Sequence, residues 1–542
     1  MRRRPRTGPL RALAALAATL LTATACTSGG AGDPAASRDA PGAHHRGVLR
    51  VLASSELSDM AGILKDAKQA TGVEVRMTYS GTLDAAKLVA DGGAAGTYDA
   101  VWLSSNDYLR LLPGTEAKIT DETPVMASPV AIGVRSADVG RLGRDPADVT
   151  WSDVYDAVMR RGLTYGMTDP ARSNSGYAAL VSVASALSGA ESALSGSDVA
   201  GASDRLAAFF AGQKLTSGSS GWLAAAYRRD TSVGAVVNYE SVLTELNRTD
   251  HAGLTVIRPE DGVITANYPF TLLTSAPRDA RAAADALTAY LRTPAVQRRI
   301  SAQTYRRPVV PSVAPAAGLA AGKRRELPFP GSLAVANGLL DAYENKLRRP
   351  SRTVYALDTS GSMAGPRLAG LKRALGGLTG SGEQGGGAAD HFRDREQVTL
   401  LPFGTAVKHV TTRTVDPADP QTSLAALHTD IGRLTASGNT AVYDSLEAAY
   451  AHLGSGGGDA FTSIVLMTDG ESNSGSPAGA FDAFYAALPA ARRNTPVFPV
   501  VFGDADRAEL THIAALTGGR LFDATGGDTA LDGAFEEIRG YQ

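Results

Sequence analysis

The sequence predicts an α/β protein made of two successive α/β regions. Short β-branched runs alternate with helical patterns over most of the 542 residues, and this alternation is typical of sheets covered by helices. At roughly 150 residues per domain, the length suffices for three to four domains. A stretch rich in Pro, Ala and Gly at 311–331 interrupts the alternation and marks a boundary between the two regions.

Composition excludes several classes of function. The 53 basic and 55 acidic residues give a net charge of −2, without the basic excess of nucleic-acid-binding proteins, so we expect no nucleic-acid partner. The one cysteine, Cys26, excludes an intramolecular disulfide, a cysteine-based zinc site and an iron–sulfur cluster.

Residues 1–25 have the pattern of a secretory signal. Five arginines without an acidic residue accompany an apolar run at 12–21, which is shorter than the roughly 20 residues of a membrane-spanning helix. The string LTATAC at 21–26 resembles the lipobox of bacterial lipoproteins, although the strict pattern has Leu where Ala23 stands. The resemblance implies that Cys26 is lipidated and becomes the new N-terminus. Plain secretion with an incidental cysteine is the alternative.

The segment 26–47 is small, polar and aperiodic, and it predicts a flexible tether. The folded part would then lie at the extracytoplasmic face of the cell membrane, held by a lipid anchor. Without lipid on Cys26, the protein would be secreted.

The region 48–315 alternates strand and helix patterns. Strands are predicted at 48–53, 73–79, 98–103, 129–134, 163–167, 235–238 and 254–257. Helices are predicted at 59–71, 83–91, 151–161, 176–187, 205–212 and 279–291. This order predicts βαβ units in parallel sheets, which bind ligands at the carboxyl ends of their strands.

Polar side chains follow several of these predicted strands. Hydroxyls and free N–H groups at helix starts suit a small anion or polar solute, because the helix dipole favours negative charge there. The alternative interpretation is that these residues only cap helices and form turns. The candidate ligand-binding residues are Ser54, Ser55, Ser80, Ser105, Ser173, Asn174, Ser175 and Tyr239.

Four strings in this region carry a family resemblance: VLRVLASS at 48–55, YDAVWLSS at 98–105, SPVAIGV at 128–134 and YGMTDPARSNSG at 165–176. With them, 48–315 resembles the type II solute-binding proteins of ABC importers, nearest to molybdate-binding and related anion-binding lipoproteins. The resemblance implies a two-lobed, periplasmic-binding-protein-like fold with a cleft between the lobes. Segments 129–134 and 235–238 are the candidate hinges.

Residues 316–352 are predicted to connect the two regions. The first part is a linker by composition, and 332–348 has a helical pattern that we expect to brace the two domains.

The region 353–542 carries the most specific motif. A buried-strand run at 353–357 leads into Asp-x-Ser-x-Ser, and further strands are predicted at 397–403, 408–412, 463–468, 497–502 and 521–522, which indicates a second, doubly wound sheet. Two more clusters, SGNT at 437–440 and MTDG at 467–470, could meet the motif at the same sheet edge. Hydroxyl and carboxylate oxygens suit a hard cation, Mg²⁺ or Mn²⁺.

This region resembles a von Willebrand factor A (VWA) domain with a Rossmann-like fold, and the three clusters match the family's metal-ion-dependent adhesion site. The resemblance implies that Ser360 and Ser362 bind the metal directly and that Thr440 joins them in the ligand-bound form. Asp358 and Asp469 would bind directly or through water. The open coordination position would accept an acidic side chain of a partner protein.

One position departs from the family pattern. Asn439 precedes Thr440 where the family usually has glycine, and we expect little consequence because Asn tolerates left-handed backbone. The strings AVYD at 441–444 and VFGD at 501–504 are typical of the family.

The sequence favours a binding protein over an enzyme. It contains no G-x-S-x-G elbow, no H-E-x-x-H and no complete phosphate loop. The preferred hypothesis is a membrane-anchored protein with metal-dependent adhesion to a protein partner, coupled to a solute-binding-like domain. The alternatives are a transport receptor for a small anion or polar solute, and a hydrolase assembled from distant residues.

Overall fold

The computed structural model describes residues 47–319, 322, 324–380, 391–454, 459–503 and 505–542. The predicted signal at 1–25, Cys26 and the tether up to residue 46 lie outside the described residues, as does Asp504 of the VFGD string. The described residues belong to one compact unit. Within them, no helix has the length and apolar composition needed to cross a membrane.

The first region contains two lobes, each built on its own sheet. Its strands are β1 (Gly47–Ser54), β2 (Val73–Ser80), β3 (Ala100–Trp102), β4 (Ile119–Pro124), β5 (Met126–Arg135), β6 (Tyr165–Thr168), β7 (Gln213–Ser217), β8 (Ala235–Tyr239), β9 (Leu254–Ile257), β10 (Thr265–Ala266), β11 (Pro269–Leu273) and β12 (Arg307–Pro308). Its helices are α1 (Ala61–Thr71), α2 (Thr82–Ala90), α3 (Asp107–Leu111), α4 (Trp151–Arg161), α5 (Asn174–Ser188), α6 (Gly196–Gly201), α7 (Ser203–Phe210), α8 (Ser220–Arg229), α9 (Glu240–Thr249), α10 (Arg278–Leu291) and α11 (Pro294–Thr304).

Sequence features fix the ends of these helices. At α4, the Thr150 side chain accepts from the backbone of Asp153, and the Asp153 carboxylate accepts from the backbone of Thr150, which completes a capping box. Gly162 ends the same helix in the left-handed conformation, with φ of 64°.

Both sheets are mixed, so the expectation of parallel sheets was wrong in part. Lobe I has the order β2-β1-β3-β11-β4, in which β11 runs antiparallel to both of its neighbours. Lobe II has the order β10-β5-β8-β6-β7, in which β5 runs antiparallel to β8, β9, β10 and β12. The chain crosses between the lobes and returns. The strand that follows each crossing, β5 or β11, is antiparallel to its neighbours.

The crossings also correct the predicted hinges. The chain passes between the lobes at Val125, between β4 and β5, and again between β10 and β11. Segment 129–134 lies beyond the first crossing and pairs with β8 and β9 within lobe II. Segment 235–238 is the centre of β8, flanked by β5 and β6, and therefore belongs to the interior of one lobe.

The connector lies against lobe II. The backbone N–H of Leu327 donates to the Val263 carbonyl at 2.9 Å, and the Phe329 ring contacts the Tyr177 ring edge-on at 5.1 Å. Helix α12 (Leu333–Ala342) follows and continues as a π-helical turn, Tyr343–Leu347. Its apolar face joins the core of lobe II.

The C-terminal region has a six-stranded sheet with helices on both faces. Its strands are β13 (Ser351–Asp358), β14 (Gln397–Phe403), β15 (Thr411–Thr414), β16 (Phe461–Thr468), β17 (Val497–Val501) and β18 (Phe522–Asp523). Its helices are α13 (Pro366–Gly377), α14 (Pro420–Gly432), α15 (Val442–His452), α16 (Ala478–Ala487), α17 (Ala490–Arg493), α18 (Arg507–Thr517) and α19 (Asp528–Arg539). The order is β15-β14-β13-β16-β17-β18, parallel except for the edge strand β15. The carboxyl ends of β13 and β16 therefore lie side by side.

Candidate functional site

The residues predicted to bind a metal lie at the carboxyl ends of β13 and β16 and in the loops that follow them. Asp358 ends β13, is fully buried, and accepts from the Ser360 backbone N–H at 2.8 Å and from Thr468 Oγ1 at 2.7 Å. Ser360 Oγ lies 2.9 Å from Ser362 Oγ, which donates to Asp469 Oδ1 at 2.8 Å. Two carboxylates and two hydroxyls thus occupy one crevice.

Thr440 is held beside this crevice. It is buried, and its backbone N–H donates to Asn473 Oδ1 at 2.9 Å. The loop before Thr440 is joined to the Asp-x-Ser-x-Ser turn, because the Gly361 N–H donates to the Gly438 carbonyl at 2.8 Å. Gly438 has φ of 86°, so the left-handed position of this loop is Gly438 rather than Asn439. Asn439 therefore does not have to adopt the left-handed backbone that we expected it to tolerate.

Two cationic side chains contact the same loops. Arg367 donates to Asp469 Oδ2 at 2.6 Å. Lys408 donates to the carbonyls of Thr359 and Ser437, at 2.8 and 3.1 Å. The strand predicted at 408–412 instead begins at Thr411, because the backbone N–H of Lys408 donates to the Pro402 carbonyl at 2.8 Å and residues 408–410 are irregular.

The donor set fits a hard divalent cation. The five predicted ligands offer only hydroxyl and carboxylate oxygens, the preference of Mg²⁺ and Mn²⁺. Burial raises the pKa of Asp358, while hydrogen bonds from Thr468 and Ser360 oppose that rise. A cation in the crevice would favour the charged carboxylate further. In the described parts of the chain, no cluster of three or more His, Cys, Asp or Glu side chains offers another metal site.

Most of the predicted solute ligands hydrogen-bond to other protein groups. Ser54 Oγ lies 2.7 Å from Thr82 Oγ1 and accepts from the Ser104 backbone. Ser105 bonds to Asp107 at the start of α3. Ser55 and Ser80, by contrast, line a cavity of about 1060 Å³ between the lobes.

The lobe II candidates form a second polar cluster. Ser175 Oγ lies 2.9 Å from Thr168 Oγ1, 2.8 Å from Ser220 Oγ and 3.2 Å from Ser173 Oγ. Asn174 Nδ2 donates to the hydroxyl of Tyr239 at 3.0 Å, and burial strongly raises the pKa of that phenol.

The two lobes touch at Arg172, which the sequence analysis did not single out. Its guanidinium pairs with Asp84 of lobe I at 3.0 Å. A Cβ added at Gly81 would lie 2.5 Å from the Arg172 carbonyl oxygen, so glycine permits this close approach. Arg520 and Glu537 of the C-terminal region also line the cavity. No local pattern marks those two residues, since they lie at least 295 positions from the lobes' own lining residues.

A buried charge network joins the three parts of the chain. It consists of Asp169 from lobe II, Glu344 and Arg348 from the connector, and Arg393, Glu396 and Arg539 from the C-terminal region, each at most 2% exposed. Arg393 Nη2 lies 3.1 Å from Asp169 Oδ2 and its Nε contacts Glu344. Burial, together with Glu344, raises the pKa of Asp169 to about 7. Asp169 precedes the loop that carries Arg172, so the network reaches the cleft.

Comparisons with known proteins agree with this architecture. Residues 49–306 match the family described as bacterial extracellular solute-binding protein, and residues 354–536 match the von Willebrand factor type A domain. The chain combines a solute-binding domain with a VWA domain. No curated protein matches it significantly.

Solved structures resemble each half separately. The sulfate-binding protein SubI from Mycobacterium tuberculosis H37Rv is 20% identical over 54% of this chain and 96% of its own, with a TM-score of 0.41. The periplasmic binding protein AfuA from Actinobacillus pleuropneumoniae is 13% identical over 56% and 99%, with a TM-score of 0.46. A von Willebrand factor type A protein from Catenulispora acidiphila is 24% identical over 36% and 42%, with a TM-score of 0.27.

In the VWA domain, the sequence predicted the residues that meet at the ends of β13 and β16 but not the residues that hydrogen-bond to them. Thr468 directly precedes Asp469, and its position at a strand end was a usable signal. Arg367 and Asn473 have no such signal, because each reaches the site from a separate element.

Proposed function

We propose that this chain is an extracytoplasmic binding protein whose VWA domain recognises a protein partner through Mg²⁺ or Mn²⁺. Ser360, Ser362 and Thr440 would hold the metal, with Asp358 and Asp469 bound directly or through water. The metal would offer one open position to a carboxylate of the partner. A metal held in this way would bind the partner's carboxylate and would not catalyse a reaction.

The convergence of the three motif clusters on one sheet edge carries this proposal. Ser360, Ser362 and Asp469 already form a continuous chain of oxygens, at 2.9 and 2.8 Å. Thr468 and the Ser360 backbone restrain the Asp358 carboxylate and fix its orientation. The described hydrogen-bond partners of these side chains are hydroxyl, backbone N–H and guanidinium groups, which suit ligation better than general base catalysis.

The test is thermal unfolding of the full chain in EDTA and then in Mg²⁺ or Mn²⁺. A ligand at 100 times its Kd adds about 2.7 kcal/mol to the folded state. For a domain of this size, that corresponds to a rise in Tm of roughly 5–11 °C. We expect this rise in the wild type and its loss in Asp358→Ala.

The matched control is Asp482→Ala, at a partly exposed aspartate of the same domain that pairs with His512 at 2.9 Å. It should keep the metal-dependent rise. An Asp358→Ala protein that still gains stability from Mg²⁺ and still binds an acidic partner would refute the proposal.

We further propose that Cys26 carries the lipid that holds the protein at the membrane. Metabolic labelling with an alkyne fatty acid should mark the wild type and leave Cys26→Ser unmarked and secreted. Equal labelling of both proteins, or secretion of both, would contradict this anchor.

A second candidate function is reception of a small anion or polar solute for an importer. The cavity of about 1060 Å³, lined by Ser55 and Ser80 and bordered by Arg172, favours it. Sulfate and neutral sugars should be compared as probes in thermal unfolding. A rise in Tm that Arg172→Gln removes would support a receptor. If neither sulfate nor the sugars raise the Tm, the receptor function is refuted and the lobes act as a structural spacer.

A further inference from the structure

A second cavity lies between lobe II, the connector and the VWA domain, away from the metal crevice. Its volume is about 730 Å³, within the usual range for a small-molecule site. Strand β7 and helix α8 form one side, and helix α17 with the ends of β16 and β17 forms the other.

The lining of this cavity is strongly basic. Its six cations are Lys214 and Arg229 from lobe II, Arg349 from the connector, and Arg352, Arg492 and Arg493 from the VWA domain. Among the described residues that line it, the one carboxylate is Asp230. Asp230 Oδ1 already accepts from the backbone and hydroxyl of Ser232, at 2.9 and 2.6 Å. A chain with nearly balanced total charge therefore concentrates positive charge here.

Among the described residues, the carboxylate that forms ion pairs with these cations is that of Asp459. Lys214 and Arg349 both approach Asp459 at 3.5 Å, but the Asp459 side chain is 95% exposed and such a pair is weak. Arg352 donates to the Leu453 carbonyl at 3.0 Å, which carries no net charge. Burial lowers the pKa of Arg349, and the Asp459 carboxylate opposes this shift.

Unsatisfied polar atoms also line the cavity. Thr216, only 8% exposed, has a buried hydroxyl without a hydrogen-bond partner among the described residues. The Nε of Arg492 is likewise buried without an acceptor in the described parts of the chain. Buried donors of this kind normally have partners, so a bound group with acceptor oxygens would complete them.

Aromatic rings form the apolar part of the wall. They belong to Trp222, Tyr450, Phe461, Tyr485, Phe498 and Tyr541. The hydroxyls of Tyr450 and Tyr485 donate to the carbonyls of Thr495 and Arg493, which leaves their rings as the apolar lining. Arginines beside aromatic rings bind phosphate or sulfate groups in a bidentate manner and accommodate a flat ring next to them.

We propose that this junction cavity binds a small phosphorylated or sulfated molecule that carries an aromatic ring. The anionic group contacts the arginines of the connector and helix α17, and the ring lies against the aromatic wall. The site is separate from the metal site, shares Trp222 with the wall of the solute cleft, and requires both domains.

Isothermal titration of the full chain tests this inference, with ATP, pyrophosphate and adenosine as probes. EDTA in the buffer prevents metal-bridged binding of ATP at the VWA site. We expect ATP to bind most tightly, since it carries both chemical groups, and pyrophosphate and adenosine to bind at least tenfold more weakly. Absence of ATP binding, or equal affinities for ATP and pyrophosphate, would overturn the assignment.

Variants distinguish specific binding in this cavity from nonspecific binding of anions to exposed arginines. Arg492→Gln with Arg493→Gln changes two surface arginines of α17 and should weaken ATP roughly tenfold or more, the effect of losing a charged hydrogen bond. Arg278→Gln with Arg298→Gln changes two exposed arginines of lobe I and should leave the affinity within twofold. Equal losses in the two pairs would show nonspecific binding and refute the proposal.

Discussion

Replacement of Arg393 by Met should make the two domains unfold independently of each other. Arg393 is 2% exposed and contacts the carboxylates of both Asp169 and Glu344, and it donates to the Arg539 carbonyl at 3.0 Å. Met retains much of the side-chain volume and removes the charge. Asp169 would then keep one cation among the described residues, Arg348 at 3.8 Å, and the backbone N–H of Ala171, which donates to its Oδ1 at 2.8 Å.

The magnitude follows from the two carboxylates left behind. Breaking a buried ion pair by removing one partner costs about 3–5 kcal/mol, because the remaining charge stays desolvated. We expect a loss of that size in urea unfolding at pH 8, where Asp169 is ionised because its pKa is about 7, followed by circular dichroism and fluorescence. The wild type should unfold in one transition and Arg393→Met in two, since the lost contacts join the domains.

A double variant and a control complete the test. Adding Asp169→Asn to Arg393→Met removes one of the stranded charges and should recover about 1–3 kcal/mol, as contacting residues couple by that amount. Arg298→Met, at an exposed site, should change stability by less than about 0.5 kcal/mol. A cost below about 1 kcal/mol for Arg393→Met, or no recovery in the double variant, would refute the role of the network.

Three further predictions concern other parts of the molecule. Asp169 keeps its proton in the folded chain up to about pH 7 but loses it near pH 4 in the unfolded chain, so its contribution to stability should fall as the pH rises from 4 to 7. In urea titrations at several pH values, the free energy of unfolding should change less with pH for Asp169→Asn than for the wild type. Gly81→Ala places a Cβ 2.5 Å from the Arg172 carbonyl and should hold the lobes apart, which small-angle scattering would record as a larger radius of gyration; an unchanged radius would contradict it. Thr468→Val removes the hydrogen bond that orients Asp358 and should weaken Mg²⁺ binding about 10- to 100-fold by calorimetry; unchanged affinity would exclude this supporting role.

The convergence of Asp358, Ser360, Ser362 and Asp469 was predictable because these residues follow strands in short motifs. Asp358, Ser360 and Ser362 occupy one turn after β13, and Asp469 follows the adjacent strand β16. Parallel pairing brings the two strand ends together, so a local pattern and a general rule of topology suffice.

The hinges and the domain junction depend on long-range pairing, which no local pattern encodes. The segment 235–238 has the composition of a buried strand. That composition does not distinguish a hinge strand from a strand at the centre of a lobe. Asp169 and Arg393 are separated by 224 positions and meet only when both domains are folded. Each alone resembles an ordinary charged loop residue.

The indole of Trp222 is a natural optical reporter for this molecule. The chain has three tryptophans, and Trp102 and Trp151 are fully buried in the lobes. Trp222 is partly exposed and lines both the cleft cavity and the junction cavity. Long-wavelength emission should therefore arise from one indole, so a change in its intensity or wavelength would register filling of either cavity without any added label.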